Sequence, residues 1–108
     1  MFYLNRVILA GKLQEDPEVR YSPRGTPVIF FTLHLPAEQL EEESLLRDPV
    51  SIRVMLVGEQ SESWAKQKGK GGGNVLVEGG LVQRRWETVE GQMKKEIGII
   101  AHTVRDLR

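Results

Sequence analysis

The sequence predicts an all-β fold: a five-stranded barrel with one short helix between strands three and four. Three observations predict it. The apolar residues recur mostly with the period of strands, most cleanly in "VSIRVMLVG" (50–58). There Val50, Ile52, Val54 and Leu56 fall on one face and Ser51, Arg53, Met55 and Val57 on the other. The long run "NVLVEGGLVQRRWE" (74–87) carries Gly79-Gly80 at its middle, which marks a bend or bulge. A small all-β domain with one bent strand closes best on itself, because closure removes unpaired edges.

The elements follow in order. "LNRVILAGKL" (4–13) is β-rich and stops at the turn-like "QEDPE". "VRYSPRGTPV" (19–28) holds a Ser-Pro-Arg-Gly turn between two short extended pieces, with Tyr21 as a structural ring. "PVIFFTLHL" (27–35) is a strand buried on nearly both faces. Its Phe30 and Phe31 point to opposite sides. The company of Ile29, Leu33 and Leu35 assigns Phe31 to the core and leaves Phe30 as an outer-surface ring. The stretch 36–48 has Leu40, Leu45 and Leu46 at helix-like spacing but reads equally as an acidic loop. After strand 50–58, "EQSESWAKQK" (59–68) is the short helix, with Trp64 as its apolar anchor capping one end of the barrel. "GKGGG" (69–73) ends it. "TVEGQ" (88–92) is a hairpin turn, and "MKKEIGIIAHTVRDL" (93–107) returns as the last strand, interrupted near Ala101.

At 108 residues the chain reads as one domain over 1–108, large enough for a core without staples. It has no cysteine, hence no disulfide framework and no thiolate metal site. No apolar run reaches the length of a membrane span, and "MFYLNRVILAGKL" is not a signal peptide. These features suit a cytoplasmic protein. Fifteen basic and fifteen acidic residues cancel, which argues against a strong, sequence-blind polyanion binder. Distribution matters more than the sum. Acids gather at Glu38, Glu41, Glu42 and Glu43, and bases at Lys66, Lys68 and Lys70 and again at Arg84, Arg85, Lys94 and Lys95. A neutral chain with segregated charge can still carry a basic face.

Catalytic chemistry finds no support. "GKGGGN" is not a phosphate-binding loop, because its glycines follow a helix and precede a strand. His34 and His102 are isolated, so no metal site is expected. There is no Gly-x-Ser-x-Gly, and the acids 41–43 read as a solvated loop rather than a hydrolytic pair. The chain is therefore read as a non-enzyme without cofactor. "QRRWE" (83–87) stands out instead, with two arginines beside one of only two tryptophans. Alternation puts Arg84 and Trp86 on one face, which suits guanidinium on phosphate and ring on base. A solvated strand end with a locally packed ring explains the same five residues.

Five strands with a helix after the third is the layout of an OB-fold, whose curved face and loops receive oligonucleotides. Here the sequence resembles the bacterial single-stranded DNA-binding proteins. The likeness begins at "LNRVILAGKLQEDPEVRYSPRGTPVIFFTL" (4–33) and resumes at "IRVMLVGEQSESW" (52–64), "VLVEGGLVQRRWE" (75–87) and "GQMKKEIGIIA" (91–101). It covers nearly all of the chain except 36–50. The resemblance implies an OB-fold homo-oligomer, a tetramer in most members. It implies coating of single-stranded DNA without sequence preference during replication, recombination and repair, alongside replication or repair proteins. It also implies that Trp86 stacks on a base.

Arg84, Arg85, Arg53, Lys94 and Lys95 complete the expected DNA-binding set, with Phe30, Arg6, Lys12 and Lys70. Arg6 equally suits a subunit interface.

The sequence departs from the family at Ser51 and Val57, where further stacking rings are expected, and at Glu59, where a base is more usual. The depleted face implies weaker binding, or a path centred on Trp86. The ending "TVRDLR" lacks the flexible acidic-tipped tail of most members. Two alternatives therefore stay open: a tail-less replication-restart factor like primosomal replication protein N, and an OB module for protein contacts with weak DNA binding.

Overall fold

The structure is a computed structural model that describes residues 1–39, 46–58, 61, 64 and 73–107. All eight described elements are strands: β1 (Val7–Leu13), β2 (Glu18–Tyr21), β3 (Pro27–Leu35), β4 (Glu38–Gln39), β5 (Leu46–Arg47), β6 (Val50–Val57), β7 (Asn74–Glu87) and β8 (Met93–Leu107). Six of them form one sheet in the order β1-β7-β8-β6-β3-β2, and β1 pairs additionally with β3 at Lys12–His34 and Leu13–Leu33. The pairs are antiparallel except β6–β8, where Val54, Met55 and Leu56 run parallel to Ile99, Ile100 and Ala101.

This corrects the expected five-stranded barrel with one helix. The sheet has six strands because Glu18–Tyr21 forms a strand of its own on β3, pairing Val19 with Ile29. The ambiguous stretch 36–48 contributes a separate two-stranded ribbon, Glu38 opposite Arg47 and Gln39 opposite Leu46. Leu40 and Leu45, which carry the helix-like spacing, lie outside the described residues. The helix expected at 59–68 lies, apart from Ser61 and Trp64, outside the described residues.

Alternation builds the core. Ile29, Phe31 and Leu33 of β3, Val54 and Leu56 of β6, Val75 and Val77 of β7, and Ile99 and Ala101 of β8 are buried with Leu13. Each buried Val, Leu, Ile or Phe among them contributes about 1.5–3 kcal/mol by leaving water, and Ala101 less. Phe31 takes the core position expected of it, and Trp64 lies on it with ring centroids 5.3 Å apart and planes tilted by 43°. The indole N–H of Trp64 donates to Asp106 Oδ1 at 3.3 Å. Val50, grouped by alternation with the core face, is exposed, because it begins β6 beyond the edge of the packed layer.

Two features shape β7 and β8. Their ladder slips at Glu78/Gly79: Glu78 faces Thr103 and Gly79 faces Ala101, leaving His102 as the extra residue. The expected interruption near Ala101 is thus a bulge inside a continuous strand. Gly79 is required there, since a Cβ would collide with the Ile100 carbonyl oxygen. Beyond the bulge the ladder runs unbroken to Glu87–Met93. The turn is closed by Thr88, whose N–H donates to the Gln92 carbonyl at 2.8 Å and whose carbonyl accepts from Gly91 N–H at 2.9 Å. Gly91 has φ +84°, which glycine adopts without strain.

Candidate nucleic-acid interface

The residues that alternate with the core line the outer face of the sheet. On β3 these are Val28, Phe30, Thr32 and His34, and on β6 Ser51, Arg53, Met55 and Val57. Register sets Phe30 beside Met55 and Thr32 beside Arg53. On the β7–β8 hairpin the same face carries Val82, Arg84 and Trp86, opposite Gly98, Glu96 and Lys94.

Two ring-and-guanidinium clusters stand on this face. Arg84 lies over Trp86, its guanidinium carbon 5.4 Å from the ring centroid, and reaches Glu96 across the ladder at 3.8 Å. Phe30 carries Arg20 at 5.3 Å and Arg53 at 5.8 Å. Arg20 is also paired with Glu18 at 2.9 Å, and Arg53 Nη1 donates to Thr32 Oγ1 at 3.4 Å. A shallow cavity lined by Phe30, Arg53, Met55, Val82, Arg84 and Gly98 joins the clusters.

The arrangement suits a flat anionic chain. Trp86 keeps 39% of its surface exposed. An exposed cation–π contact is worth about 0.5–1 kcal/mol. A stacked base gains about 1–3 kcal/mol. A base can therefore displace the guanidinium from the ring, and the freed guanidinium is then placed to meet a phosphate. Four cations, Arg20, Arg53, Arg84 and Lys94, and two carboxylates, Glu18 and Glu96, surround Phe30 and Trp86, with Arg20 and Glu18 on the outer strand β2. Among the described residues no His, Asp or Glu cluster could hold a metal ion, and no helix is long and apolar enough to cross a membrane.

Not every expected residue joins this face. Trp86, Arg84, Arg53, Phe30 and Lys94 do, with Lys94 directly opposite Trp86. Arg85 and Lys95 oppose each other on the other side of the hairpin. Arg6 is held by Glu78 at 3.4 Å. Lys12 stands at the far end of the sheet, opposite His34 and Asn74. Lys70 lies outside the described residues. Arg20 was not singled out from the sequence. Its signal was present in "EVRY": a strand over 18–21 laid against 27–30 brings Arg20 opposite Val28, next to Phe30. Ser51 and Val57 both point to the outer face and are exposed, so the positions where rings were expected do border the candidate path.

A small β-sheet domain whose outer face alternates rings and guanidinium groups belongs to the class of nucleic-acid-binding modules. Comparison with known proteins narrows this. The model of the single-strand binding protein family matches residues 4–107. A single-stranded DNA-binding protein of Aquifex aeolicus is 40% identical over 108 residues, covering 94% of this chain and 69% of that protein. One of Thermotoga maritima is 35% identical, covering 97% and 74%. The chain belongs to the single-strand binding protein family. Among solved structures, a Thermus aquaticus single-stranded DNA-binding protein carrying a deletion superposes with a TM-score of 0.80 at 33% identity, covering 97% of this chain and 51% of that one. A Plasmodium falciparum SSB in complex with single-stranded DNA superposes with a TM-score of 0.85 at 22% identity, over 100% of this chain and 98% of that one; this likeness speaks for the fold.

Proposed function

We propose that this protein coats single-stranded DNA without sequence preference, protecting it in replication, recombination and repair. It is a binding protein and not an enzyme. The observation that carries the reading is the Arg84–Trp86 pair on the outer face, joined through a shallow cavity to Phe30 and Arg53. Stacking is blind to sequence because every base has a π-face, and phosphate contacts are blind to it as well. Trp86, Arg84, Arg53, Phe30 and Lys94 are the residues we assign to the strand. Arg85, Lys95, Arg6, Lys12 and Lys70 add longer-range attraction.

The working form is a homo-oligomer, a tetramer of four such domains, in the cytoplasm among replication and repair proteins. Supporting it, Met1, Phe2, Tyr3, Leu4 and Ile8 form an exposed apolar stretch running into β1. Such a stretch gains by burial against another chain.

Fluorescence anisotropy with labelled dT, dA and dC homopolymers and a duplex tests the reading. Binding to all three single strands, weaker binding to the duplex and intact oligonucleotides afterwards are expected. Failure to bind any single strand favours the protein-contact alternative, to which the exposed Ser51 and Val57 already lend support.

A further inference from the structure

The two ring clusters of the outer face share a third member. Trp86 carries Arg84, and Arg84 Nη2 lies 3.8 Å from Glu96 Oε2. Phe30 carries Arg20, and Arg20 Nε lies 2.9 Å from Glu18 Oε1. Register builds the two triads differently. In the first, ring and guanidinium alternate along β7, and the carboxylate stands opposite the arginine on β8. In the second, guanidinium and carboxylate alternate along β2, and the ring stands opposite the carboxylate on β3. Two unrelated local patterns thus bring the same three groups together.

Elementary electrostatics gives the carboxylates a role. A guanidinium meets a carboxylate and a phosphate through the same planar fork of N–H donors. Whatever holds Arg84 or Arg20 in the free protein must therefore give way when a phosphate takes it. All four charged side chains are partly or largely exposed, so a phosphate can reach either arginine. An exposed ion pair contributes little to folding, so stability alone gives little reason for the two pairs. Arg53, the second guanidinium on Phe30, differs: among the described residues it bonds the Thr32 hydroxyl and no carboxylate.

We infer that Glu18 and Glu96 stand in for DNA phosphate in the free protein: they hold Arg20 and Arg84 beside the rings until a strand arrives, and so set the affinity of the face. They are positioning residues that act through the two arginines, and the inference rests on the single-stranded DNA reading. On binding, one oxyanion replaces another at each guanidinium, while each ring exchanges a cation for a base. The first exchange is close to even, and the second is the one that favours the complex. A polyanion without accessible bases makes only the first exchange and gains little from either triad. The released carboxylates then lie near the phosphates, which repel them. Removing a carboxylate should therefore tighten binding, although no new contact is added.

The test measures the affinity of the full chain for a dT oligonucleotide at low salt. Glu96→Gln and Glu18→Gln are compared with the wild type, and each is repeated with its arginine removed, in Arg84→Ala and Arg20→Ala. Glu90→Gln is the control, taking the same charge from the exposed turn between β7 and β8 without touching either triad. Each triad variant is expected to tighten binding by up to roughly five-fold, the equilibrium factor of one exposed ion pair, and by more than Glu90→Gln does. Without Arg84, Glu96→Gln should do no more than Glu90→Gln, and without Arg20 the same holds for Glu18→Gln. The sign separates this role from a structural one, since loss of a merely structural pair loosens the strands and weakens binding. Weaker or unchanged binding, a gain no larger than that of Glu90→Gln, or the same gain with and without the arginine overturns the inference while wild-type binding stands. No binding by the wild type overturns the DNA reading and this inference with it.

Discussion

Asn5 grips Leu81 by both of its backbone groups: the Leu81 N–H donates to Asn5 Oδ1 at 2.7 Å, and Asn5 Nδ2 donates to the Leu81 carbonyl at 2.7 Å. One side chain thereby acts as a length of strand. It does so where the β7–β8 hairpin leaves the core, since Val77 is buried and Leu81 exposed. The hairpin that carries Arg84 and Trp86 is therefore anchored at its root by the residue that leads into β1.

Asn5→Ala removes both bonds. Each contributes about 0.5–1.5 kcal/mol net, and exposure favours the lower end. A loss of about 1 kcal/mol in thermal or denaturant unfolding is expected, with faster amide exchange at Leu81. Asn5→Asp keeps the acceptor for the Leu81 N–H and should protect that amide better than alanine does.

The two neighbouring arginines should not be equivalent. Arg84 shares a face with Trp86, while Arg85 faces Lys95 on the other side of the hairpin. Arg84→Ala should weaken single-strand binding more than Arg85→Ala. It should also lower the dependence of log affinity on log salt by about 0.7, the share of one phosphate on a single strand. Titrations at several salt concentrations measure both.

Val57 is 50% exposed on the outer face, at a position where a ring was expected. Val57→Trp should add a stacking surface without touching the core. A gain of up to about 1–3 kcal/mol in oligonucleotide binding is the expected ceiling.

Gly79→Ala should be among the most damaging single changes, because the new methyl falls on the Ile100 carbonyl and 2.9 Å from Ala101 Cα. Overpacking of this kind costs about 1–3 kcal/mol. Gly80→Ala meets nothing nearer than Asn5 O at 3.3 Å and should be milder. Comparing the two melting temperatures separates the bulge from the general effect of removing a glycine.

Much of this was legible in the residues. Alternation in 27–35 and 50–58 placed Phe31, Val54 and Leu56 inside and Phe30 and Arg53 outside. The Gly79-Gly80 pair announced the bulge, and "RRW" announced the pairing of Arg84 with Trp86. What stayed hidden depends on contacts distant in sequence. Arg20 reaches Phe30 only because Glu18–Tyr21 pairs with β3. The Asn5–Leu81 clamp joins residues 76 apart. Lys12 and His34 meet only through the β1–β3 pairing. The stretch 36–48, open in the sequence between helix and acidic loop, ends in the Glu38–Arg47 ribbon at its two described margins, and Leu40 and Leu45 lie outside the described residues.

The central claim is that Trp86 and Arg84 hold single-stranded DNA on the outer face. Tryptophan fluorescence during titration with poly-dT at low salt, on the wild type and on Trp86→Ala, tests it most directly. Trp64 packs on Phe31 and bonds to Asp106, so Trp86 should supply most of the response. Strong quenching in the wild type, and affinity lower by about ten-fold or more in Trp86→Ala, matches one lost stacking contact of about 1–3 kcal/mol. Unquenched fluorescence in the wild type, or equal affinity in the two proteins, would contradict the claim.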